Sequence, residues 1–409
     1  GCADLPCAGH PDRRGIAVVP LGSVVIVGAS AAGTHALRAL RSAGYAGGVT
    51  LIGDEAELPY DRPPLSKQAL RDPWQPEKLQ LCPAEGYRQM AVNLMLGRRA
   101  IELDRQAREV VLDDGARVPF ERLLIATGCA AKTLPMFAHA ENVYTLRTVG
   151  DALKLRRLFE TKARLAIIGA GFVGTEVAAT AVLAGMSVAL LDSGTHPLEV
   201  RLGPMVGARI GELHQRNGVD LRMRAGVESP LWSASGRHVC AIRLRDGSAL
   251  ECDAVIVAVG ASPNIEWLRS SGLHIGNGVE CDEFCRAADG IYAAGDVAEW
   301  FHPGFERRMR VEHRTNAAEQ ASVAAVNLLG GNTSYSPVPF FWSDQYNVKL
   351  QVHGTASLAS DVRELHGQAD QDSFVLGYFE NERLTGVLSW NAFKQAREWI
   401  PRIKAHWTV

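Results

Sequence analysis

The 409-residue sequence predicts an α/β protein built from two copies of one βαβ unit and a C-terminal α+β domain. Three observations lead there. From Arg164 to Asp192 the chain reads RLAIIGAGFVGTEVAATAVLAGMSVALLD, a short apolar run, a glycine turn, a stretch of small and apolar residues and a second apolar run. A related stretch runs from Ser23 to Asp54. From Val338 the glycine turns give way to aromatic and alternating apolar residues, the period of half-buried strands.

In the stronger copy Leu165 to Ile168 is a strand, Gly169-Ala-Gly-Phe-Val-Gly174 a turn, and Ser187 to Leu191 a second strand beyond a helix. Gly169 permits the tight turn, Gly171 lets backbone approach a pyrophosphate, and Gly174 lets helix and strand pack closely. Phe172 and Val173 lie where the helix N-terminus offers free N–H groups to a diphosphate. Asp192 ends the second strand, where a carboxylate accepts ribose hydroxyls and repels a 2′-phosphate, which favours NADH over NADPH.

In the first copy Ser23 to Val27 is the strand, Gly28-Ala-Ser-Ala-Ala-Gly33 the turn, and Val49 to Ile52 the second strand, with Asp54 in the place of the ribose acid. Ser30 replaces the middle glycine, narrowing the approach to a diphosphate. Ala31 and Ala32 share this turn with Gly28 and Gly33. Two such units in one chain mean two nucleotides held against each other.

Hydrophobic residues at 47%, charged residues at 22% and a net charge of −2 describe an ordinary globular chain, without the basic excess of a nucleic-acid binder. No apolar run approaches the roughly 20 residues that span a bilayer. The eight scattered cysteines suit reduced thiols in a cytoplasm better than a disulfide framework. Cys281 and Cys285 have no clustered partners, so no metal site is expected. Residues 1–21, with Cys2 and Cys7, read as a flexible extension.

Leu58-Pro-Tyr-Asp-Arg-Pro-Pro-Leu-Ser-Lys67 is a proline-stiffened loop whose cations are Arg62 and Lys67 and which contains no cysteine. No thiol relay can therefore start there. Leu123-Leu-Ile-Ala-Thr-Gly128 is a buried strand ending at Ala126, Thr127 and Gly128; its equivalent after the second unit, Ala254 to Gly260, ends at Val259 and Gly260. Gly295 and Asp296 are expected ahead of a helix, placing an acid beside a helix start. In the last domain Val348, Leu350 and Val352 mark one strand, Phe374 to Phe379 and Leu384 to Trp390 two more. A final helix is expected to carry Ala392, Ala396, Trp399, Ile400 and Ile403 on one face, with Pro401 kinking or shortening it.

From about Ser23 to the C-terminus the chain resembles the NADH-dependent, FAD-containing ferredoxin reductases that serve bacterial oxygenases, in the motifs YDRPPLSK, GAGFVGTE, LLD, IYAAGDVA, NAAEQA and FWSDQY. The resemblance implies a glutathione-reductase-like fold: two Rossmann-type dinucleotide-binding domains plus the C-terminal domain. The FAD domain would occupy 22–135 and 260–332, the NAD domain 136–259, and the last domain 333–409. FAD contacts would fall on Ala32, Asp54, Lys67, Arg98, Arg147, Asp296 and Arg314. Lys67 and Glu176 would form an ion pair beside the reactive flavin edge, with Trp342 near the ring and Arg62 and Glu312 among the other cofactor-binding candidates. Arg98 and Arg314 stand where these relatives commonly carry apolar or aromatic residues. The Arg98 contact is expected from backbone; a charge at Arg314 would shift the flavin potential or the electron exit.

The implied activity passes hydride from NADH to FAD and then single electrons to a two-iron ferredoxin that feeds an oxygenase, with no side chain as nucleophile. A monomer or homodimer in the cytoplasm is expected. A basic rim of Arg307, Arg308, Arg310, Lys394, Arg397, Arg402 and Lys404 would meet an acidic ferredoxin. Two rivals differ in their demands. An NADH oxidase or peroxidase normally needs the missing loop cysteine. A redox-sensing NADH-binding protein resembling apoptosis-inducing factor tends to need long regulatory insertions, and none is present.

Overall fold

The structure, a computed structural model, describes residues 22–356 and 359–407. The expected N-terminal extension, with Cys2 and Cys7, lies outside the described residues. Strand β1 (Val24–Val27) is buried at all four positions, as a strand covered on both faces of a parallel sheet must be. Helix α1 (Ala31–Ser42) then turns Ala36, Leu37 and Leu40 into the core. β2 (Val49–Gly53) lies parallel to β1 on one side, with β3 (Val92–Leu96) beyond it, and β4 (Arg122–Ile125) lies parallel on the other.

At Gly128, where φ is 64°, the chain leaves this sheet. It crosses on β5 (Cys129–Ala131) to a second, all-parallel sheet. There β6 (Leu165–Ile168), α2 (Phe172–Leu183) and β7 (Val188–Leu191) repeat the first unit. α3 (Pro204–Arg216) and β8 (Asp220–Arg222) follow, and β9 (Ala254–Val257) pairs with β6 as β4 pairs with β1. The expected equivalence of the two closing strands is therefore met in register: Val27 faces Ile125, and Ile168 faces Val257.

β10 (Ala261–Pro263) carries the chain back antiparallel to β5, and β11 (Ile291–Ala293) rejoins the first sheet beside β4. Asn264 ties the two crossings together. Its side-chain amide donates to the Thr127 carbonyl at 2.8 Å, its backbone N–H to the Gly128 carbonyl at 2.9 Å, and its own carbonyl accepts from the Thr127 hydroxyl at 2.9 Å. Gly295 and Asp296 form one 3₁₀ turn followed by a strand, Ala298–His302, rather than the expected helix. The helix comes later, as α4 (Arg314–Leu328), packed against α1.

The last domain is an antiparallel five-stranded sheet of β12 (Phe340–Gln345), β13 (Val348–Gly354), β14 (Asp361–His366), β15 (Phe374–Glu380) and β16 (Arg383–Trp390). β14 was not anticipated because it is a largely polar edge strand, a form that discourages edge-to-edge pairing. The single terminal helix is also corrected. It is two short turns, Phe393–Ala396 and Ile400–Ile403, with Pro401 in the first turn of the second.

Packing makes α2 the hub. Tyr60, Leu65, Ala69 and Leu70 of the proline loop share a core with its Val177, Ala178 and Ala181. The C-terminal sheet packs Val348, Leu350 and Val352 on Val206 and Ile210 of α3. Every residue from Gly174 to Ala181 is buried, so the middle of the helix is enclosed on all sides. A Cβ added at Gly174 would lie 1.9 Å from the Gly169 carbonyl oxygen, whereas one at Gly171 meets nothing within 4 Å. Gly174→Ala is therefore expected to cost about 1–3 kcal/mol of stability, and Gly171→Ala to stay within about 0.5 kcal/mol, read from chemical-denaturation midpoints.

Candidate active site

Two segments far apart in sequence converge on the Glu176 carboxylate inside α2. Lys67 Nζ lies 3.0 Å from Oε1, with Lys67 and Glu176 side chains 14% and 10% exposed. The Ser66 hydroxyl donates to Oε2 at 2.6 Å, and the Ser343 hydroxyl of β12 donates to Oε1 at 2.7 Å. Thr180, one helical turn on, donates to the Ser66 carbonyl at 2.7 Å and so clamps the loop to the helix. A buried carboxylate needs such a complete set, because an unpaired one costs several kcal/mol to desolvate. Asp344 Oδ2 stands 4.0 Å from Lys67 Nζ on the solvent side.

The two glycine turns are shaped for diphosphates. Cβ atoms at Gly28 and Gly33 would collide with the Ala126 and Gly28 carbonyl oxygens at 2.0 and 2.1 Å, while Gly171 faces open space. Neither α1, capped by Ser30, nor α2, capped by Gly171, has a side-chain cap or an acid in its first turn. The N–H groups of Ala31, Ala32 and Gly33 and of Phe172, Val173 and Gly174 thus belong to first turns suited to an anion. The residues present fit two dinucleotides. Asp192 accepts from Ala170 N–H and Gly194 N–H, both at 2.7 Å, so its carboxylate sits against the glycine turn.

The other candidates are mostly held by partners. Arg147 pairs with Asp296 at 2.7 Å and donates to the Cys129 carbonyl, while Asp296, beside Gly295, sits at the junction of the 3₁₀ turn. Arg62 is committed to Glu55, Tyr60 and the Arg147 carbonyl. Asp54 is exposed just past β2, with Arg99 3.7 Å away. Arg98 pairs with Asp114, and its backbone N–H is spent on the Gly53 carbonyl. Arg314 bonds Asp61 of the proline loop and lies beside His35, so its charge is paired. Trp342 stacks on Phe340 and, by strand alternation, faces away from Ser343. Val259 and Gly260 lead into the return crossing, where the Gly260 carbonyl takes the Lys132 N–H.

The expected basic rim is partly paired with acids, and six of its seven members, Arg307 and Arg308 among them, are exposed. Arg310 is 8% exposed, bonded to Glu312 and the Asp296 carbonyl, and Arg307 and Arg308 pair with Glu380 and Glu280. Lys394, Arg397, Arg402 and Lys404 remain exposed. Cys129, near Arg147 and Asp296, is buried, and that burial pushes its thiol up to about 12, which leaves it protonated and unreactive. Sequence reasoning missed Ser66, Ser343, Asp61 and Asn264. The first three lie inside YDRPPLSK and FWSDQY, beside Lys67, Trp342 and Arg62.

The pyridine nucleotide-disulphide oxidoreductase family matches residues 22–321, and the Reductase C-terminal family matches 340–405. Rhodocoxin reductase of Rhodococcus erythropolis is 37% identical over 371 residues, covering 90% of this chain and 86% of its own. The ferredoxin–NAD(+) reductase component of the p-cumate 2,3-dioxygenase system of Pseudomonas putida is 36% identical over 386 residues, covering 93% of each. Among solved structures, the covalent putidaredoxin reductase–putidaredoxin complex superposes with a TM-score of 0.90 at 33% identity, covering 94% of this chain and 93% of that one.

Burial, as the largest cause, holds His35, His214, His313 and His353 down to about 4. Below the ordinary value near 6.5 the unfolded chain binds protons that the folded chain refuses, so stability present above that pH is lost as pH falls toward 4. Thermal midpoints are expected to fall steadily between pH 6.5 and 4, and His35→Asn to make that fall shallower; a flat or rising trend would contradict the burial argument.

Proposed function

The chain belongs to the pyridine nucleotide-disulphide oxidoreductase family, and we propose that it is a ferredoxin reductase carrying electrons from NADH through FAD to a two-iron ferredoxin that serves an oxygenase. The observation that carries this reading is the buried ion pair between Lys67, on a loop without a cysteine, and Glu176 of α2. A disulfide or peroxide enzyme of this architecture needs a thiol at that loop. Here a fixed charge pair stands instead.

When bound, FAD would supply the acceptance of hydride from NADH and the release of single electrons. The protein supplies alignment and electrostatics. Gly28, Ser30, Ala31, Ala32 and Gly33 at the start of α1 would hold the FAD diphosphate, with Arg147 and Asp296 as a neutral pair at its flavin side. Gly169, Gly171, Phe172, Val173 and Gly174 would hold the diphosphate of NADH. Lys67 would face the flavin, with Glu176 fixing its ammonium group and limiting the charge it presents. Asp192 would disfavour NADPH by repulsion at the 2′ position. The exposed C-terminal cations offer an acidic ferredoxin a landing area. Among the described residues no helix is long and apolar enough to cross a membrane, and we place the enzyme in the cytoplasm, where NADH is supplied.

The decisive experiment is anaerobic mixing of the flavin-loaded protein with NADH, followed by oxidised two-iron ferredoxins. NADH should bleach the flavin and a ferredoxin should restore its colour. Stoichiometric peroxide formation in air, unchanged by added ferredoxin, would instead identify an oxidase. Asp192→Ala should lower the NADH over NADPH preference in kcat/KM by about tenfold, the scale of one lost charge interaction.

A further inference from the structure

Glu176 is the inner end of a longer row of hydrogen bonds. Ser343, 1% exposed, gives its one proton to the carboxylate and must therefore accept from its other neighbour, Gln345 Nε2, at 3.2 Å. The second proton of that amide goes to Thr175 Oγ1 at 3.0 Å, whose own hydroxyl proton is directed at the Gly171 carbonyl 2.9 Å away. Both amide protons are thus committed, which leaves Gln345 Oε1 as an acceptor for His214 Nε2 at 2.9 Å. His214, 0% exposed, must then accept at Nδ1, and the Tyr346 hydroxyl is 3.0 Å away to donate. Tyr346 sits at the hairpin between β12 and β13 and lines a cavity of about 560 Å³ with Arg209, Arg216 and Asn391.

We propose that Tyr346, His214, Gln345 and Ser343 form a one-way hydrogen-bond chain that positions Glu176 against Lys67 for hydride transfer. The direction is set at the inner end. A carboxylate can only accept, so Ser343 can only donate to it, and each later group has one remaining role. Reversing the Gln345 amide would oppose its oxygen to two hydroxyls whose protons are already committed. The amide link also means that the row does not conduct protons in the ordinary way: it orients. His214 stays neutral because burial holds it near 4, which the chain requires, since a doubly protonated ring has no acceptor for Tyr346. The row joins α2, α3 and the C-terminal sheet, so the third domain reaches the reaction centre through Ser343 without contributing a reacting group. Ser343, Gln345, His214 and Tyr346 are positioning residues, and their assignment rests on the reductase reading above.

Two measurements test it on the flavin-loaded protein. Long-range ¹H–¹⁵N spectra of the histidine rings should show one buried neutral histidine protonated at Nε2, its Nδ1 signal moving in Tyr346→Phe. The same ring protonated at Nδ1 would overturn the direction of the chain. In anaerobic stopped flow, Ser343→Ala should lower the limiting rate of flavin reduction by NADH about tenfold and Tyr346→Phe about threefold, the scale of one buried hydrogen bond. The NADH concentration at half-maximal rate should change less than about twofold, and Ser343→Thr, which keeps the hydroxyl, should restore the rate. Variants that unfold at lower temperature yet reduce flavin at the wild-type rate would overturn the proposal. Failure of the wild-type protein to accept electrons from NADH would sink the reductase reading instead, so the two failures are separable.

Discussion

A charged carboxylate inside an enclosed helix constrains everything around it. α2 is buried from Gly174 to Ala181, so Glu176, with its side chain only 10% exposed, must have its charge satisfied mostly by protein. The proline loop brings Lys67 and Ser66; the C-terminal sheet brings Ser343. Removing any one leaves a buried charge short of a partner, a far larger penalty than the net gain of making the contact. The place of the loop and of the third domain is therefore coupled to the same carboxylate that stands beside the candidate reaction centre.

The two nucleotide-binding units are related by backbone rather than by side chains. Each opens on a strand flanked by parallel neighbours and closes on a strand in matching register. The second unit is threaded into the first through β5 and β10, whose pairing and the Asn264 bonds keep the crossings together. A rigid crossing matters for ring-to-ring transfer, because misplacement by about 1 Å costs heavily in rate.

The charges near the centre come in pairs. Arg147 with Asp296, Arg314 with Asp61, Arg310 with Glu312 and Lys67 with Glu176 each join distant or adjacent segments in a neutral unit. A chain with 43 basic and 45 acidic side chains has the means to do this. Each such pair acts on a cofactor as a local dipole, which falls off faster with distance than a bare charge. Lys394, Arg397, Arg402 and Lys404 stay exposed on the C-terminal turns, which pack against Phe305.

The strand–glycine–helix units could be read directly, because the demands of a tight turn and an anion-facing helix end fall within a few consecutive residues. The C-terminal hairpins showed themselves through alternation, as at Val348, Leu350 and Val352, whereas the polar edge strand β14 and the broken last helix lacked any such period. The carboxylate at Glu176 and its lysine were recognisable from motif and family likeness. Their hydroxyl partners were not: Ser66 lies 110 residues from Glu176 and Ser343 lies 167, and a serine has no pattern that announces what it will face. Local order is written in spacing along the chain. Which small polar side chain completes a buried charge is decided only when packing excludes water and leaves that charge no other partner.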